Sequence, residues 1–489
     1  MIMNDDNYLQ NLTKICGSQN ISQDPKELKA CSKDLSFLKG KSPLCIVWPS
    51  KSQDVAKIVK LANDLKFYVI PVSLNSRFKQ HGNSIPKKSN SIILNLSRMN
   101  KILSINRKNR VVMVEPGVTF EQLIPILKKK GLKLLLPLMP TASRSVLATA
   151  LEREPITIPR YHWDSSDPLL CTEVVFGTGD LFRTGTAAGP GTIKEQQKMG
   201  QAQVNPMGPT QFSPFRIIQG AQGSLGVVTW ATLKLELLPS TQKVYHLQSD
   251  NIQDLLDLQY ELLKYRLCDE LFILNDINLA CLLKENPQEI SEIVGNLEKW
   301  NLIFIISGRG PLANDKISYL EGDIKDINVK LGSKFSKPKI EISDKEILNF
   351  LNEPCEKPWR MRLKGTYHDI FFLTSFEKIP KFISLIETQF ENEIGIYIQP
   401  INQGTSYHIE FDLYYDPKDI NEVNAIKEKI LGVRIQLMDM GAFFSKPYGL
   451  WAKEVFSHHS IETSNALKRV KQIFDPKNVM NPGVLCFDE

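Results

Sequence analysis

The sequence predicts an α+β protein of two domains. Its 489 residues exceed the length at which a single hydrophobic core usually stops growing. Residues 45–97 alternate strand patterns with a helix pattern in which Val55, Ile58 and Val59 share one face, as in an α+β or α/β domain. Beyond about residue 240 the chain changes to leucine- and isoleucine-rich helices and separated strands, which indicates a second domain.

Local signals predict the remaining elements in order. After a strand at 110–115, Thr119 and Gln122 fit a capping box that begins a helix, and Gly131 ends that helix. The other expected elements are strands at 171–176, 181–183 and 227–235, a long ordered loop at 185–215, a helix at 254–265, strands at 302–307 and 369–374, a late helix containing Ala466, Leu467, Val470 and Ile473, and a turn at 475–483.

Composition and charge exclude several classes of function. The net charge of +6 comes from basic residues mixed with acidic ones along the chain, which is typical of a solvated surface rather than a nucleic-acid footprint. The polar, acidic start and the lack of any apolar run near ~18 residues predict a cytoplasmic protein without membrane insertion. The eight cysteines are scattered without a CxxC pair, so we expect core thiols and no metal site.

A glycine-rich segment at 220–226 is the strongest local sign of a ligand. It is not a Rossmann motif, because the β-branched run 227–229 follows it where a helix would be needed. Such a segment suits a turn that brings backbone amides to a ligand before a strand. The residues alone also fit a tight turn with a purely structural role.

Four segments resemble one protein family in the same order along the chain. These are residues 21–34, 47–63, 219–229 (QGAQGSLGVVT) and 474–483 (FDPKNVMNPG), of which the last two are the most specific. They resemble FAD-binding PCMH-type flavoproteins, which are like vanillyl-alcohol oxidase, in the branch of D-lactate dehydrogenases and glycolate oxidase flavin subunits. The resemblance implies an FAD-dependent oxidoreductase in which the flavin carries the redox chemistry.

The resemblance also implies a domain plan. It has a helical N-terminal segment (1–40), an FAD-binding domain of two α+β subdomains (41–239), an inserted α+β cap that carries the substrate site (240–435), and a C-terminal segment that returns to the flavin (436–489). FAD would lie between the subdomains, its pyrophosphate held by backbone N–H groups. The cofactor residues it implies are Pro71, Val72, Ser73, Leu74, Asn75, Ser76, Pro140, Thr141, Ser145, Val146, Ala148, Gly223, Gly226, Val227, Val228 and Asn481.

Both cofactor loops depart from the family pattern. Residues 71–77 keep the proline but lack the three glycines that follow it in the family, and Asn75 is the residue that best tolerates a positive φ there. The loop 140–148 carries Leu147 and Ala148 where the family has paired glycines. His81 is the nearest candidate for covalent flavin attachment, although an ordinary loop histidine is the favoured interpretation.

The cap offers candidates for the substrate chemistry. The family's metal-binding HxGDGNxH segment matches 401–408, where only His408 remains, so no metal is expected and His408 becomes the candidate base, with Glu410 on the same strand face. A structural hydrogen bond explains His408 equally well. Arg360 and Arg362, alternating on a possible strand, form either a carboxylate clamp or a solvated cationic strand.

Three functional hypotheses remain open from the sequence. The leading one is oxidation of a small 2-hydroxy acid or alcohol, with electrons passed to an iron–sulfur or other electron-transfer subunit, a quinone or oxygen. The second is oxidation of a para-substituted phenol, favoured by the aromatic segment 441–449, in which Tyr448 and Lys446 would take polar roles beside the flavin. The third is an inactive scaffold subunit of a redox complex, favoured by the lost glycines.

Overall fold

The fold consists of three β-sheets with helices packed on them. A computed structural model of the protein describes residues 5–73, 78–159, 168–189, 191–199, 214–332, 340–390 and 393–487. The helices are α1 (Asp5–Cys16), α2 (Pro25–Cys31), α3 (Ser52–Leu65), α4 (Phe120–Lys129), α5 (Val146–Leu151), α6 (Ile193–Lys198), α7 (Ile252–Lys264), α8 (Asp276–Leu283), α9 (Pro287–Val294), α10 (Ala313–Lys330), α11 (Asp344–Asn352), α12 (Ile379–Gln389), α13 (Ile420–Asp439), α14 (Gly449–Ser457) and α15 (Ile461–Phe474).

The strands form three sheets in chain order. They are β1 (Ile21–Ser22), β2 (Ile46–Val47), β3 (Tyr68–Val72), β4 (Ser91–Asn95), β5 (Ile102–Asn106), β6 (Val111–Val114), β7 (Leu132–Leu134), β8 (Leu169–Phe176), β9 (Leu181–Arg183), β10 (Gly226–Leu237), β11 (Thr241–Ser249), β12 (Glu270–Asn275), β13 (Trp300–Gly308), β14 (Thr366–Thr374), β15 (Ile394–Ile401) and β16 (Ser406–Tyr415). The strand orders are β1-β2-β4-β3, then β5-β6-β10-β8-β9 with β7 on β10, then β11-β13-β12-β15-β16-β14.

The first sheet has the fewest strands. Strands β2, β4 and β3 run parallel, and β4 is buried at all five positions, as parallel strands covered on both faces are. Helix α3 presents an apolar stripe of Val55, Ile58 and Val59 to this sheet. Strand β3 therefore packs on this apolar core, which holds the start of the loop after Val72 in place.

The second sheet is antiparallel and carries the glycine turn. Strand β10 is its centre, because it pairs with β6, β8 and β7. Helix α4 begins at Thr119, whose side chain accepts a hydrogen bond from the backbone N–H of Gln122, as predicted. The Gln122 side chain donates to the carbonyl of Asn100 instead of closing the box, so the capping box is only half formed.

The third sheet holds the cap elements. Its six strands pair antiparallel, and one face packs on α7, α10, α12 and α13 in the largest apolar core. The opposite face packs at one end on α8, α9 and α11. At its other end, formed by β14 and β16, that face carries charged and aromatic side chains toward the first two sheets.

The last residues return to the first sheet. The backbone N–H of Val69 donates to Val479 O at 2.8 Å, and the N–H of Asn481 donates to Val69 O at 3.0 Å. Buried Lys471 donates to the carbonyls of Ser224 and Met480 at 2.5 and 2.9 Å. This C-terminal segment thereby links β3 and the glycine turn.

Most elements expected from the sequence are confirmed, and two expectations are wrong. Residues 359–361 form a 3-10 helix instead of a strand, so Arg360 and Arg362 do not alternate on one strand. The expected loop 185–215 contains a 3-10 turn at Gly185–Ala188 and α6 among its described residues. The domain limits stay a prediction. Within the described ranges, no helix is both long and apolar enough to cross a membrane.

Candidate active site and cofactor cleft

A cleft lies between the loops of the first two sheets and the β14–β16 face of the third. It encloses about 2250 Å³ of empty space, its open mouth included. On one side it is lined within 71–73, 78–84, 137–148 and 218–228. Its other wall is formed by cap side chains together with Lys446 and Tyr448. This is the cavity in which the expected cofactor residues and the expected substrate residues meet.

The glycine turn fits so closely that it leaves no space for a side chain. Gly223 has a φ of +70°, and a Cβ placed on it would lie 2.4 Å from Cγ of Pro71. A Cβ on Gly226 would lie 2.5 Å from the carbonyl oxygen of Val175. The turn is thus structurally required and also exposes backbone to the cleft. The two interpretations of this segment are compatible.

The loop before α5 is fixed by a cap. The Ser145 hydroxyl donates to Pro116 O at 2.5 Å and accepts from the N–H of Ala148 at 3.1 Å. This arrangement turns the 140–145 segment and the start of α5 toward the cleft. The side chain of Val146, expected at the cofactor, is instead buried in the apolar core of the second sheet, because the helix register turns it away from the cleft.

Most of the other expected cofactor residues line the cleft. Leu74, Asn75 and Ser76 lie outside the described residues. Asn481 is buried beside the cleft, and its side-chain amide donates to the carbonyls of Asn83 and Gln222 at 2.8 and 2.6 Å, which ties two cleft loops together. The residues that line the cleft are Pro71, Val72, Ser73, Pro140, Thr141, Ser145, Ala148, Gly223, Gly226, Val227 and Val228.

The cap wall contains a buried charge network. Nε of Arg360 lies 2.7 Å from Glu410 and 3.0 Å from Asp412, and its guanidinium lies 3.9 Å from the ring centroid of Trp359. Burial favours the neutral acid, yet Arg360 and His408 hold the pKa of Glu410 below its ordinary value. Burial raises the pKa of Asp412 well above its ordinary value despite Arg360. Arg360 therefore pairs mainly with the carboxylate of Glu410, and burial disfavours a second negative charge on Asp412.

His408 and Glu410 share one strand face, as predicted. Nε2 of His408 lies 3.2 Å from Glu410, and both side chains are nearly buried where they line the cleft. Burial lowers the pKa of His408 below its ordinary value, against the raising effect of Glu410. The histidine is thus neutral at pH 7 and already has a hydrogen-bond partner.

Arg362 lies away from the cleft, so its prediction as a substrate clamp is wrong. Its Nη1 donates to the carbonyls of Cys281 and Leu282 at 2.9 and 3.2 Å, and Nη2 lies 3.0 Å from Glu285. Those carbonyls end helix α8, where a cation is favourable. The 3-10 turn at 359–361 directs Arg360 and Arg362 to different sides, which the strand hypothesis did not foresee.

A second histidine, His81, lines the cleft. Nε2 of His81 lies 2.9 Å from both carboxylate oxygens of Asp369, and its ring stacks on Tyr448 with centroids 4.2 Å apart at an interplanar angle of 5°. Burial disfavours the imidazolium, but the charge and hydrogen bond of Asp369 raise the pKa of His81 above its ordinary value. Burial also raises the pKa of Tyr448.

Two further cations lie around the cleft. Lys446 lies 4.8 Å over the ring of Phe371, and burial lowers its pKa. Arg144 makes ion pairs with Glu152 and Glu154. Lys446 has no salt bridge within 4 Å to any residue that the structure describes.

Sequence reasoning missed Asp369, Phe371, Tyr367 and Arg144 as cleft residues. One sequence signal pointed to Asp369 and Phe371. They lie two positions apart on a predicted strand, so their acidic and aromatic side chains share one face. Tyr367 continues that face, and its hydroxyl donates to the side chain of Gln80 at 2.9 Å. Nothing local distinguished Arg144 from a surface arginine.

The cleft fits an extended dinucleotide such as FAD. His81, Gly82, Gly220, Gln222 and Gly223 all have positive φ values, so the backbone turns repeatedly along the cofactor side. Such turns expose N–H groups that bind phosphate without a buried counter-ion. At Gly82 and Gly223 a Cβ would lie 2.4 Å from a neighbouring side-chain carbon, so these two positions have no space for a side chain. The fold and this cleft define a flavin-binding protein of two cofactor sheets and a cap, whose flavin would accept a hydrogen with its electron pair.

Comparison with known proteins identifies a cofactor-binding domain and several similar flavoproteins. Residues 43–185 match the FAD binding domain model. Mitochondrial D-lactate dehydrogenase [cytochrome] of Arabidopsis thaliana is 20% identical over 91% of this chain and 73% of that protein. The 4-cresol dehydrogenase [hydroxylating] flavoprotein subunit of Pseudomonas putida is 26% identical over 38% of this chain and 35% of that protein. Glycolate oxidase subunit GlcD of Bacillus subtilis is 22% identical over 50% of this chain and 47% of that protein.

The solved structure of p-cresol methylhydroxylase with substrate bound has the same fold. It superimposes with a TM-score of 0.82 at 17% identity, covering 100% of this chain and 98% of that one. The α+β fold of a PCMH-type flavoprotein is thereby confirmed. The chain carries a PCMH-type FAD-binding domain, its cofactor is FAD, and it is an FAD-dependent oxidoreductase.

Proposed function

We propose that this flavoenzyme oxidises a para-substituted phenol. The observation that carries the proposal is that the arginines expected to bind a substrate carboxylate already have partners within the protein. The two arginines expected to clamp a substrate carboxylate are both engaged, Arg360 by Glu410 and Asp412 and Arg362 by the end of α8. A carboxylate beside the flavin would face Arg360 and His81 already paired with Glu410 and Asp369. A buried carboxylate without a counter-ion of its own is costly.

Aromatic side chains favour a ring-shaped substrate. Tyr367, Phe371, Tyr397 and Tyr448 line the cap side of the cleft, together with Trp359. Aromatic rings pack well against one another in edge and offset geometries, so such a wall suits a phenol ring. Two similar proteins, 4-cresol dehydrogenase and p-cresol methylhydroxylase, are also named after 4-cresol, or p-cresol, which is a para-substituted phenol.

A small 2-hydroxy acid or alcohol is the second candidate. Lys446 supports it, because this cleft lysine has no salt bridge to any described residue and would suit a single carboxylate oxygen. The D-lactate dehydrogenase similarity over most of the chain also supports it. In this alternative Lys446, and not Arg360 or Arg362, binds the substrate carboxylate.

We also propose that electrons leave the flavin to a separate electron-transfer protein, to a quinone or to oxygen. Support for a partner comes from the names of the similar flavoprotein subunit and of subunit GlcD. The scattered cysteines provide no cluster motif within this chain.

Anaerobic flavin reduction distinguishes these candidates. The purified holoenzyme is mixed with 4-ethylphenol, 4-cresol, D-lactate or glycolate, and the flavin absorbance near 450 nm is followed. Bleaching by the phenols alone is the expected result. Bleaching by D-lactate or glycolate alone, lost in Lys446→Met, establishes the second candidate and contradicts the first. A protein that takes up no FAD on reconstitution supports a scaffold role and contradicts both.

A further inference from the structure

We propose that His81 is the base that takes the hydroxyl proton of the substrate, and that Asp369 is the residue that positions it. The inference rests on the proposed function for the identity of the substrate. It replaces the expectation that His408 has this role. The reasons are the placement of His81, the use of its two ring nitrogens and the engagement of His408.

The first reason is position. His81 lines the cleft between the cofactor loops and the cap, and 23% of its side chain is exposed there. It lies between Tyr448 and Asp369, beside the Phe371 ring at a centroid distance of 6.0 Å. A phenol ring packed on this aromatic wall would bring its hydroxyl to the imidazole.

The second reason is the use of the ring nitrogens. Nε2 is fixed by both oxygens of Asp369, and no described residue is hydrogen-bonded to Nδ1. A carboxylate on one nitrogen fixes the tautomer and leaves the other nitrogen to accept a proton. Asp369 is held in turn by β14, whose register with β16 sets it opposite Asp412.

The third reason is that the backbone maintains this geometry at some cost. His81 has a φ of +72°, in a left-handed region that few residues other than glycine adopt. The next residue, Gly82, has a φ of +69° and donates its N–H to Asp34 at 2.7 Å. Strained conformations persist where the surroundings over-determine them, and they cluster at active sites. His408, by contrast, has ordinary strand geometry and a structural hydrogen bond to Glu410.

The proton and electron balance is simple. The phenol O–H bond breaks and its proton moves to Nδ1 of His81, which becomes an imidazolium paired with Asp369. The C–H bond on the first carbon of the para substituent breaks, and that hydrogen leaves with its electron pair to FAD. The substrate loses two electrons and becomes a quinone methide.

The rate of flavin reduction then depends on the protonation of His81. The charged and titratable groups that face it are Asp369, His368, Lys446, Tyr448 and Glu152. Asp369 keeps the imidazolium more stable than in water, so the rate rises with pH through an inflection above the ordinary value of about 6.5.

His81→Asn is the decisive variant, because asparagine tolerates the positive φ at this position. With FAD content unchanged, we expect flavin reduction by 4-ethylphenol to slow by about 10²- to 10⁴-fold and the inflection to disappear. In His81→Gly, added imidazole should restore part of the rate. Asp369→Asn should move the inflection to lower pH. His459→Asn, on the surface, is the matched control and should match the wild type.

A turnover-independent probe separates this inference from the proposed function. 4-Chlorophenol has no C–H bond to oxidise on its para substituent, and its ionisation changes its ultraviolet spectrum. At a pH above the inflection, where His81 is neutral and 4-chlorophenol in solution still keeps its proton, binding to wild type should ionise the phenol, and binding to His81→Asn should leave it neutral. If phenols fail to bleach the wild-type flavin, the proposed function is wrong and this probe alone decides. Ionisation that persists in His81→Asn, or a reduction rate within threefold of wild type with the same inflection, overturns the inference.

Discussion

The two walls of the cleft are built differently. On the cofactor side the turns at 81–82 and 220–223 present backbone, and glycines meet neighbouring atoms directly. On the cap side, β14, β16 and the turn at 359–361 present side chains whose charges neutralise one another. Adding side-chain atoms to the cofactor wall should therefore weaken FAD binding, whereas removing a charge from the cap wall should lower the free energy of unfolding.

The largest effect is expected from Gly223→Ala on the cofactor wall. The new Cβ would lie 2.4 Å from Cγ of Pro71, and the residue has a φ of +70°. The clash and the left-handed backbone together cost about 2–5 kcal/mol. We expect FAD content, measured as the ratio of flavin to protein absorbance, to fall sharply.

The matched control is Gly322→Ala in helix α10, where a Cβ meets no atom within 4 Å. Removing a helix glycine there should raise the free energy of unfolding by about 0.5–1 kcal/mol and leave FAD content unchanged. If Gly223→Ala retains FAD like this control, the close contact with Pro71 is not required for binding.

Sequence reasoning worked well for the cofactor wall because its signals are local. A turn such as 220–226 needs glycine at particular positions, and the strand after it follows from a β-branched run. The half-formed capping box and the inward side chain of Val146 were the local details that it missed. Both depend on packing against other segments, since the Gln122 side chain reaches Asn100 and Val146 joins the core of the second sheet.

The cap wall could not be predicted in the same way. His81 and Asp369 are 288 positions apart in the chain, and only the docking of the third sheet on the cofactor loops brings them together. The turn at 359–361 directs Arg360 into the cleft and Arg362 away from it, and an arginine at either position does not signal such a turn. Pairings of this kind follow from tertiary packing, which overrides local propensity.

The second largest effect tests the charge network of the cap wall. Glu410→Gln removes the main counter-ion of Arg360 and leaves only Asp412, whose ionisation burial opposes, so it should cost about 3–5 kcal/mol of unfolding free energy in urea titrations. Asp412→Asn should cost less, within about 1 kcal/mol, because burial raises the pKa of that acid and disfavours its charge. Equal losses in the two variants would show that Asp412 is ionised.

A smaller effect is expected for Arg362→Met. The substitution removes hydrogen bonds to the carbonyls of Cys281 and Leu282 at the end of α8, so we expect a loss of about 1–3 kcal/mol in unfolding free energy. The KM for whichever substrate reduces the flavin should be unchanged, since the side chain lies outside the cleft. A large rise in KM with unchanged stability would restore Arg362 as a substrate clamp.

The smallest effect is a difference in pH dependence between the two histidines of the cleft. Burial lowers the pKa of His408, so the unfolded chain binds a proton before the folded one does. The folded state should lose stability as pH falls below about 6.5 toward that lowered pKa. Asp369 raises the pKa of His81, so its contribution is complete below about 6.5 and is lost as pH rises through the raised pKa.

Thermal unfolding of the FAD-saturated protein between pH 5 and 8 measures both contributions. The Tm of His408→Gln, relative to wild type, should improve toward acidic pH. The Tm deficit of His81→Asn should instead be greatest at acidic pH and shrink as pH rises. Parallel pH profiles for the two variants would mean that Asp369 does not hold His81 in its charged form, and the contrast between a buried neutral histidine and a paired one would fail.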